Sequence, residues 1–342
     1  MSLRLLTRAA LVGGLALTVF AATPAVASSP PTGDRGDAAA GWLARHMVDG
    51  ERFEAVFDGV AYPDQGLTVD AVFAFAASKT ADAFAERALT WLASPGVTGG
   101  YIGEGTEAYA GATAKLTLAV QVRGGDPSAF GGFDLEARLR GLQTPSGRFS
   151  DSSQWGDFSN GFSQSLAVLA LDRTTGGAPA TAVGFLAGSR CADGGYPLLF
   201  AQATCTSDVD VTAIAVQALI AAGRWSDAAA GLCWLLSVQS ANGAFSALGV
   251  ENANSTGLAA QALLAGGRFT AAAKARQFLR GLQVDCTGAA ADRGAIRFKA
   301  GPLDPATATR ATAQAVLGLA SVSLGRLDAT GARSGDPVLS CQ

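Results

Sequence analysis

The sequence predicts an all-α fold, an α6/α6 toroid in which six helical-hairpin repeats close into a double ring. Three observations carry the expectation. A pattern of an apolar pair, Gln, Gly and Phe returns at intervals of 44 to 49 residues. Each copy runs through a Gly-rich loop into a second apolar stretch of helical period. No polar cap marks either end of the array, as an open stack of repeats would need.

The chain opens with Arg4 and Arg8, an apolar run "AALVGGLALTVFAA", and a small-residue "AVA" ending at Ala27. That is the layout of a cleaved secretory signal over residues 1–27. Residues 28–35, "SSPPTGDR", read as a flexible leader, residues 36–327 as the toroid, and residues 328–342 as a C-terminal tail.

The repeat is clearest where "GLCWLLSVQSANGAF", ending at Phe245, is set against "EARLRGLQTPSGRF", ending at Phe149. Both give Gln239 or Gln143, Gly four residues on, then Phe; a third copy has Arg190 and Tyr196 in the Gln and Phe places. The opening pairs of the six copies are Trp42-Leu43, Trp91-Leu92, Arg138-Leu139, Phe185-Leu186, Trp234-Leu235 and Phe278-Leu279. The second helices carry Thr68, Thr113, Gln164, Thr212, Thr256 and Thr312 at equivalent places. Small apolar residues cover nearly all their faces, so they are expected to be buried, inside a ring of charged first helices.

Without the signal, 23 basic side chains stand against 28 acidic ones, a charge of about −5. This balance disfavours nucleic acid and anionic membrane surfaces as partners. No later run is apolar enough to span a bilayer, so the chain is expected to be secreted, extracellular and monomeric. An oxidising space favours disulfides, with Cys191–Cys205 and Cys286–Cys341 suggested by position and Cys233 expected as a buried free thiol.

These copies, above all Trp234-Leu235, Gln239, Gly243 and Phe245, resemble the repeat of squalene and oxidosqualene cyclases and of protein prenyltransferase β subunits. The resemblance implies a terpenoid-cyclase-like α/α toroid in which the Gln side chain ties neighbouring outer helices through backbone groups. In the squalene-cyclase branch the middle Asp of D-x-D-D-T-A is the Brønsted acid. The matching string here runs from Asp208 to Ala213, so Asp210 would be the acid with Asp208 assisting, although Val211 replaces the third Asp. The alternative is a helix entrance, because Asp64, Asn160, Asp208 and Asn252 recur at that place and short polar side chains cap helix starts. The prenyltransferase zinc chemistry is not expected: His46 is the only histidine and lies on a first helix.

The preferred function is therefore noncatalytic binding of a small hydrophobic or glycan ligand in a loop-lined funnel. Trp155, Phe158 and Tyr196 are the candidate contacts, with no metal or cofactor. A terpene-cyclase-like enzyme using Asp210 is the alternative. Carbohydrate cleavage by loop carboxylates such as Asp151 and Asp157 is another.

Overall fold

The structure, a computed structural model, describes residues 29–341; the expected signal at 1–27 lies outside them. The chain alternates outer and inner helices. The outer α1 (Arg35–Arg45) leads to the inner α2 (Gln65–Ser78), and α3 (Asp82–Leu92) leads through a short extra helix, α4 (Pro95–Ile102), to α5 (Ala110–Val122). Then follow α6 (Leu135–Gly141) with α7 (Gly161–Asp172), and α8 (Ala180–Gly188) with α9 (Val209–Ala221). The last pairs are α10 (Trp225–Val238) with α11 (Ala253–Ala265) and α12 (Phe269–Leu282) with α13 (Pro305–Ala320).

The inner helices pack in the cyclic order α2, α5, α7, α9, α11, α13 and back to α2, so the ring is closed. Their middle turns are almost wholly buried, including Val69 to Ala77 of α2 apart from Asp70, and Val211 to Leu219 of α9. An outer helix such as α12 buries only Ala272, Ala275, Leu279 and Leu282, spaced as one face. Cys233 is exposed on α10, contrary to expectation, because it falls on that helix's solvent side.

One hydrogen bond repeats at five of the six joints from loop to inner helix. Backbone N–H groups of Phe53, Tyr196, Phe245 and Ile296 donate to the buried hydroxyls of Thr68, Thr212, Thr256 and Thr312 at 2.8 to 3.0 Å. In the third copy Phe149 N donates instead to Gln164 Oε1 at 2.8 Å. The motif Gln supplies a second tie: Gln239 Nε2 donates to Gly243 O and to Ala271 O of the next outer helix. Gln143 reaches only the Thr181 hydroxyl, and Gln164 Nε2 takes over its backbone ties by donating to Gly147 O and Ala182 O. The motif Gly stands against the next outer helix with positive φ; a Cβ on Gly243 would collide with the Lys274 carbonyl.

The same tie shuts the ring. Gln283 Nε2 donates to Gly294 O and, across the seam, to Arg35 O at 2.8 Å, while Trp42 Nε1 donates to Ala291 O. Residues 29–35, expected as a flexible leader, are held there as well. Strand β1 (Pro31–Thr32) pairs in parallel with the tail, and Asp34 caps α1 through Asp37 N. Between them lie the hairpins β2 (Glu54–Phe57) with β3 (Val60–Pro63), β4 (Tyr196–Pro197) with β5 (Ser207–Asp208), and β6 (Ser246–Ala247) with β7 (Val250–Glu251). The tail strand β8 (Val338–Leu339) is the partner of β1, and Cys286–Cys341 fastens the segment beyond it. The second disulfide, Cys191–Cys205, closes the loop before α9.

Thr256→Val orphans the buried Phe245 N–H and is expected to cost about 1–3 kcal/mol in urea denaturation. Thr113 bonds only Tyr109 O within its own helix, so Thr113→Val is expected to cost less than about 1 kcal/mol.

Candidate functional site

The inner helices start together at one end of the ring. The first residue of α5, Ala110, donates to Asp151 Oδ1 in the loop before α7. Gly161 N of α7 donates to Leu198 O, and Ala253 N of α11 to Phe298 O, each in the loop before the next inner helix. At the seam, Asp64 at the start of α2 meets Arg310 of α13 at 2.6 Å. Six positive helix ends thus frame a funnel mouth, and Asp64, Asn160, Asp208, Asn252 and Asp304 cap five of them.

This geometry separates the two carboxylates of "SDVD". Asp208 Oδ1 accepts from Val211 N at 2.9 Å and is the cap of α9. Asp210 stands in the first turn with its Oδ1 buried and without a protein partner. Burial pushes its carboxyl up to about 6; a hydrogen bond with Ser255 opposes the shift and the neighbouring Asp208 adds to it. Ser255 belongs to α11, so Asp210 faces the joint between two inner helices.

Within the funnel lies a central cavity of about 320 Å³, bounded by all six inner helices and by Tyr101 from α4. One wall is polar. Asp70 Oδ1 and Lys115 Nζ form a largely buried ion pair at 2.6 Å, and Lys115 also donates to Gly66 O. Gln314 Nε2 reaches Asp70 Oδ2 at 3.4 Å, with Arg310 4.0 Å from the same carboxylate. Tyr101 is pushed well above the usual phenol range, first by burial and then by Asp70 and Asp64, so it stays a neutral hydroxyl. Elsewhere the lining is mixed: Phe162, Leu166, Ile214 and Leu258 share it with Asn160, Ser163 and Gln261, and Leu324 closes the far end. Leu324 is held by its N–H, which donates to Gln217 Oε1 at 2.9 Å.

Of the aromatics expected to meet a ligand, Trp155 and Phe158 are 71% and 70% exposed. They sit on the loop that ends at Asn160 in the cavity wall. Tyr196 is instead fully buried and is corrected to a packing residue: its N–H bonds Thr212 and its hydroxyl reaches Asp227 O. Its phenol is pushed up to about 12 by burial. Asp151 and Asp157 are engaged in loop structure, Asp151 on the N–H groups of Ala110 and Phe158, and Asp157 on Arg148. His46 stacks on Trp42 and bonds Trp42 O at the end of α1. Asp70, Lys115, Gln261 and Gln314 were not singled out from sequence. The signal was present as one charge inside each of the apolar inner strings "TVDAVFAFAA" and "ATAKLTLAV".

No known protein family and no curated protein sequence matches the chain. Its fold is similar to two solved structures over nearly their whole length. One is a protein from Actinoplanes, with a TM-score of 0.61 and 14% identity over 84% of this chain and 99% of that one. The other is an unsaturated glucuronyl hydrolase specific for heparin, also with a TM-score of 0.61, with 12% identity over 86% and 98% of the two chains. An ent-copalyl diphosphate synthase from Streptomyces platensis overlaps with a TM-score of 0.47 and 14% identity, over 74% of this chain and 50% of its own. The chain is an α/α toroid. Among the described residues no helix is long and apolar enough to cross a membrane.

Because the Asp210 carboxyl titrates higher in the fold than its ordinary 3.8, the folded chain holds this proton more tightly than the unfolded one. Its contribution to stability is therefore full below about pH 4 and is lost as pH rises through about 6. Asp210→Asn is expected to remove this dependence. In urea denaturation it should gain on the unmutated protein between about pH 4 and 7, by roughly 3 kcal/mol at most.

Proposed function

We propose that this protein is an exported, noncatalytic binder that takes a hydrophobic or glycan ligand through its loop-lined funnel into the central cavity. The observation that carries the reading is the cavity itself. It is open toward the capped helix starts, lined by both polar and apolar groups, and Asp210 is not among its lining residues. Trp155 and Phe158 stand on the loop leading inward and offer aromatic faces to the ligand where it leaves the cavity. Export is supported by the signal-like residues 1–27 and by the two disulfides, which persist in oxidising compartments.

The cyclase reading is favoured by one observation, the shielded Asp210 carboxyl held up to about 6, which is a poised proton donor. Two others count against it. Asp208, the expected assistant, is occupied by the backbone of α9. Asp210 is also not among the residues that line the cavity, so a chain held there does not meet its carboxyl.

The test pairs product analysis with binding. Mature protein incubated with squalene and with an all-trans prenyl diphosphate is expected to return both unchanged by gas chromatography and mass spectrometry. Titration with a short alkyl glucoside is expected to perturb tryptophan emission, and Trp155→Ala to weaken that binding about tenfold, or about 1.4 kcal/mol, at unchanged melting temperature. A cyclic product from the unmutated protein that Asp210→Asn does not make would overturn the noncatalytic reading.

A further inference from the structure

We infer that the ligand of the central cavity is a single-chain amphiphile that enters tail first, and that Leu324 is the specificity-determining residue on which the end of its chain rests. This rests on the ligand-binding reading above and narrows the ligand to one class.

The floor of the cavity is not made by the repeats. After α13 the chain turns at Ser321, in left-handed backbone, and passes beneath the inner ring. Arg173 Nη2, at the end of α7, donates to Leu324 O and Leu327 O. Leu324 N donates to Gln217 of α9, and Ala329 N to Val122 O at the end of α5. In the cyclic order of the inner helices α7 stands opposite α13. The segment from Ser323 to Leu327 is therefore a strap laid across the lower end of the ring, and Leu324 is the strap residue that lines the cavity.

Depth orders the lining where side does not. The inner helices all start at the mouth, so a residue's place after its loop-to-helix joint gives its depth. Asn160 and Ser163 precede the joint residue Gln164 of α7. Asp70, Lys115 and Gln314 stand two residues past Thr68, Thr113 and Thr312 and form a polar belt. Phe73 and Leu317 stand five residues past Thr68 and Thr312, about 7 Å below them. Gln261 lies at the same depth on α11, but its Oε1 is shut away from the cavity by the protein around it. The deepest lining is thus Phe73, Leu317 and Leu324, below polar groups at the mouth and the belt.

A ligand that matches this profile carries a polar group above an apolar end. A molecule with no apolar part would leave the floor against water. A bare hydrocarbon would take water from Asn160, Ser163 and the Asp70–Lys115 pair without replacing its hydrogen bonds. At the level of the belt, Leu166 of α7, Ile214 of α9 and Leu258 of α11 give one apolar path downward. The strap is fastened to α7 and α9, two of the helices that form this path, so the path leads to Leu324.

The test is calorimetric titration of the mature protein with hexyl, octyl, decyl and dodecyl glucoside below their micelle concentrations, with D-glucose as the tailless control. Affinity is expected to rise about fourfold with each methylene that leaves water, and to level off once the chain reaches Leu324. Glucose is expected to bind at least about tenfold more weakly than octyl glucoside. Leu324→Ala lowers the floor and is expected to move the plateau to a longer chain. Leu324→Phe raises the floor and is expected to move it to a shorter one. A merely structural Leu324 would weaken every member of the series alike, and Leu324→Phe decides the matter if melting curves show that Leu324→Ala does not fold. A plateau at the same chain length in the variants and the unmutated protein would overturn Leu324 as the floor. Affinity independent of chain length, or glucose bound as tightly as octyl glucoside, would overturn the amphiphile while leaving the funnel as a binding site. Absence of binding by glucose and by every glucoside would overturn both.

Discussion

The fold depends on one hydrogen bond, made in five of the six copies, in which the backbone N–H of the residue that closes the loop motif donates to a side chain in the first turns of the following inner helix. The turn between rings is buried, so its N–H groups have no water to bond and must find a partner in the protein. A threonine there supplies an acceptor without adding bulk to a ring of small residues. Phe245 is thereby fixed in depth and Gly243 is brought against the next outer helix. Repetition then sets curvature: the glutamine tie to the next outer helix is made in the third, fifth and sixth copies, the last closing the ring where Gln283 meets Arg35. The third copy tests the logic within one molecule. Gln164 replaces the threonine, and its longer amide both accepts from Phe149 and makes the backbone ties that Gln143 leaves unmade.

The cavity gains its chemistry where the repeats stop being alike. The second copy lacks the loop-to-helix bond and inserts α4, which brings Tyr101 to the ring's interior. Arg138 supports the insertion with bonds to Ile102 O, Gly103 O and Glu107 O. The sixth inner helix starts a turn before its opening threonine does in the others, which carries Arg310 to the rim beside Asp64. These departures sit on the same side as Asp70 and Lys115. The inner surface therefore carries charged groups on that side, although each repeat alone favours an apolar one.

Helix ends explain why adjacent acidic residues have different fates. Asp208 is spent on an orphan N–H of α9, where its charge also meets the positive end of the helix. Two residues on, Asp210 points into the packing between α9 and α11 and loses water without gaining a cation. Proximity in sequence says nothing about this difference; the neighbour across the joint decides it.

Periodicity, motif spacing and small-residue composition were sufficient to determine six helical hairpins, the order of outer and inner helices, and ring closure, because each is set by local pattern repeated along the chain. The capping role of Asp208 was also legible, since four starts share a short polar side chain at that place. Other properties arise between segments far apart in the chain and belong to the tertiary structure. The strand from Pro31 to Thr32 is ordered by a partner at Val338 and Leu339, which no local signal in "SSPPTGDR" announces. Tyr196, aromatic and beside a loop, reads like Trp155 in sequence, yet the motif turns it into the core and leaves Trp155 in solvent. Asp70 and Lys115 each look like a flaw in an apolar helix. Only when the ring sets α2 beside α5 do the two charges meet, because pairing is what makes their burial tolerable.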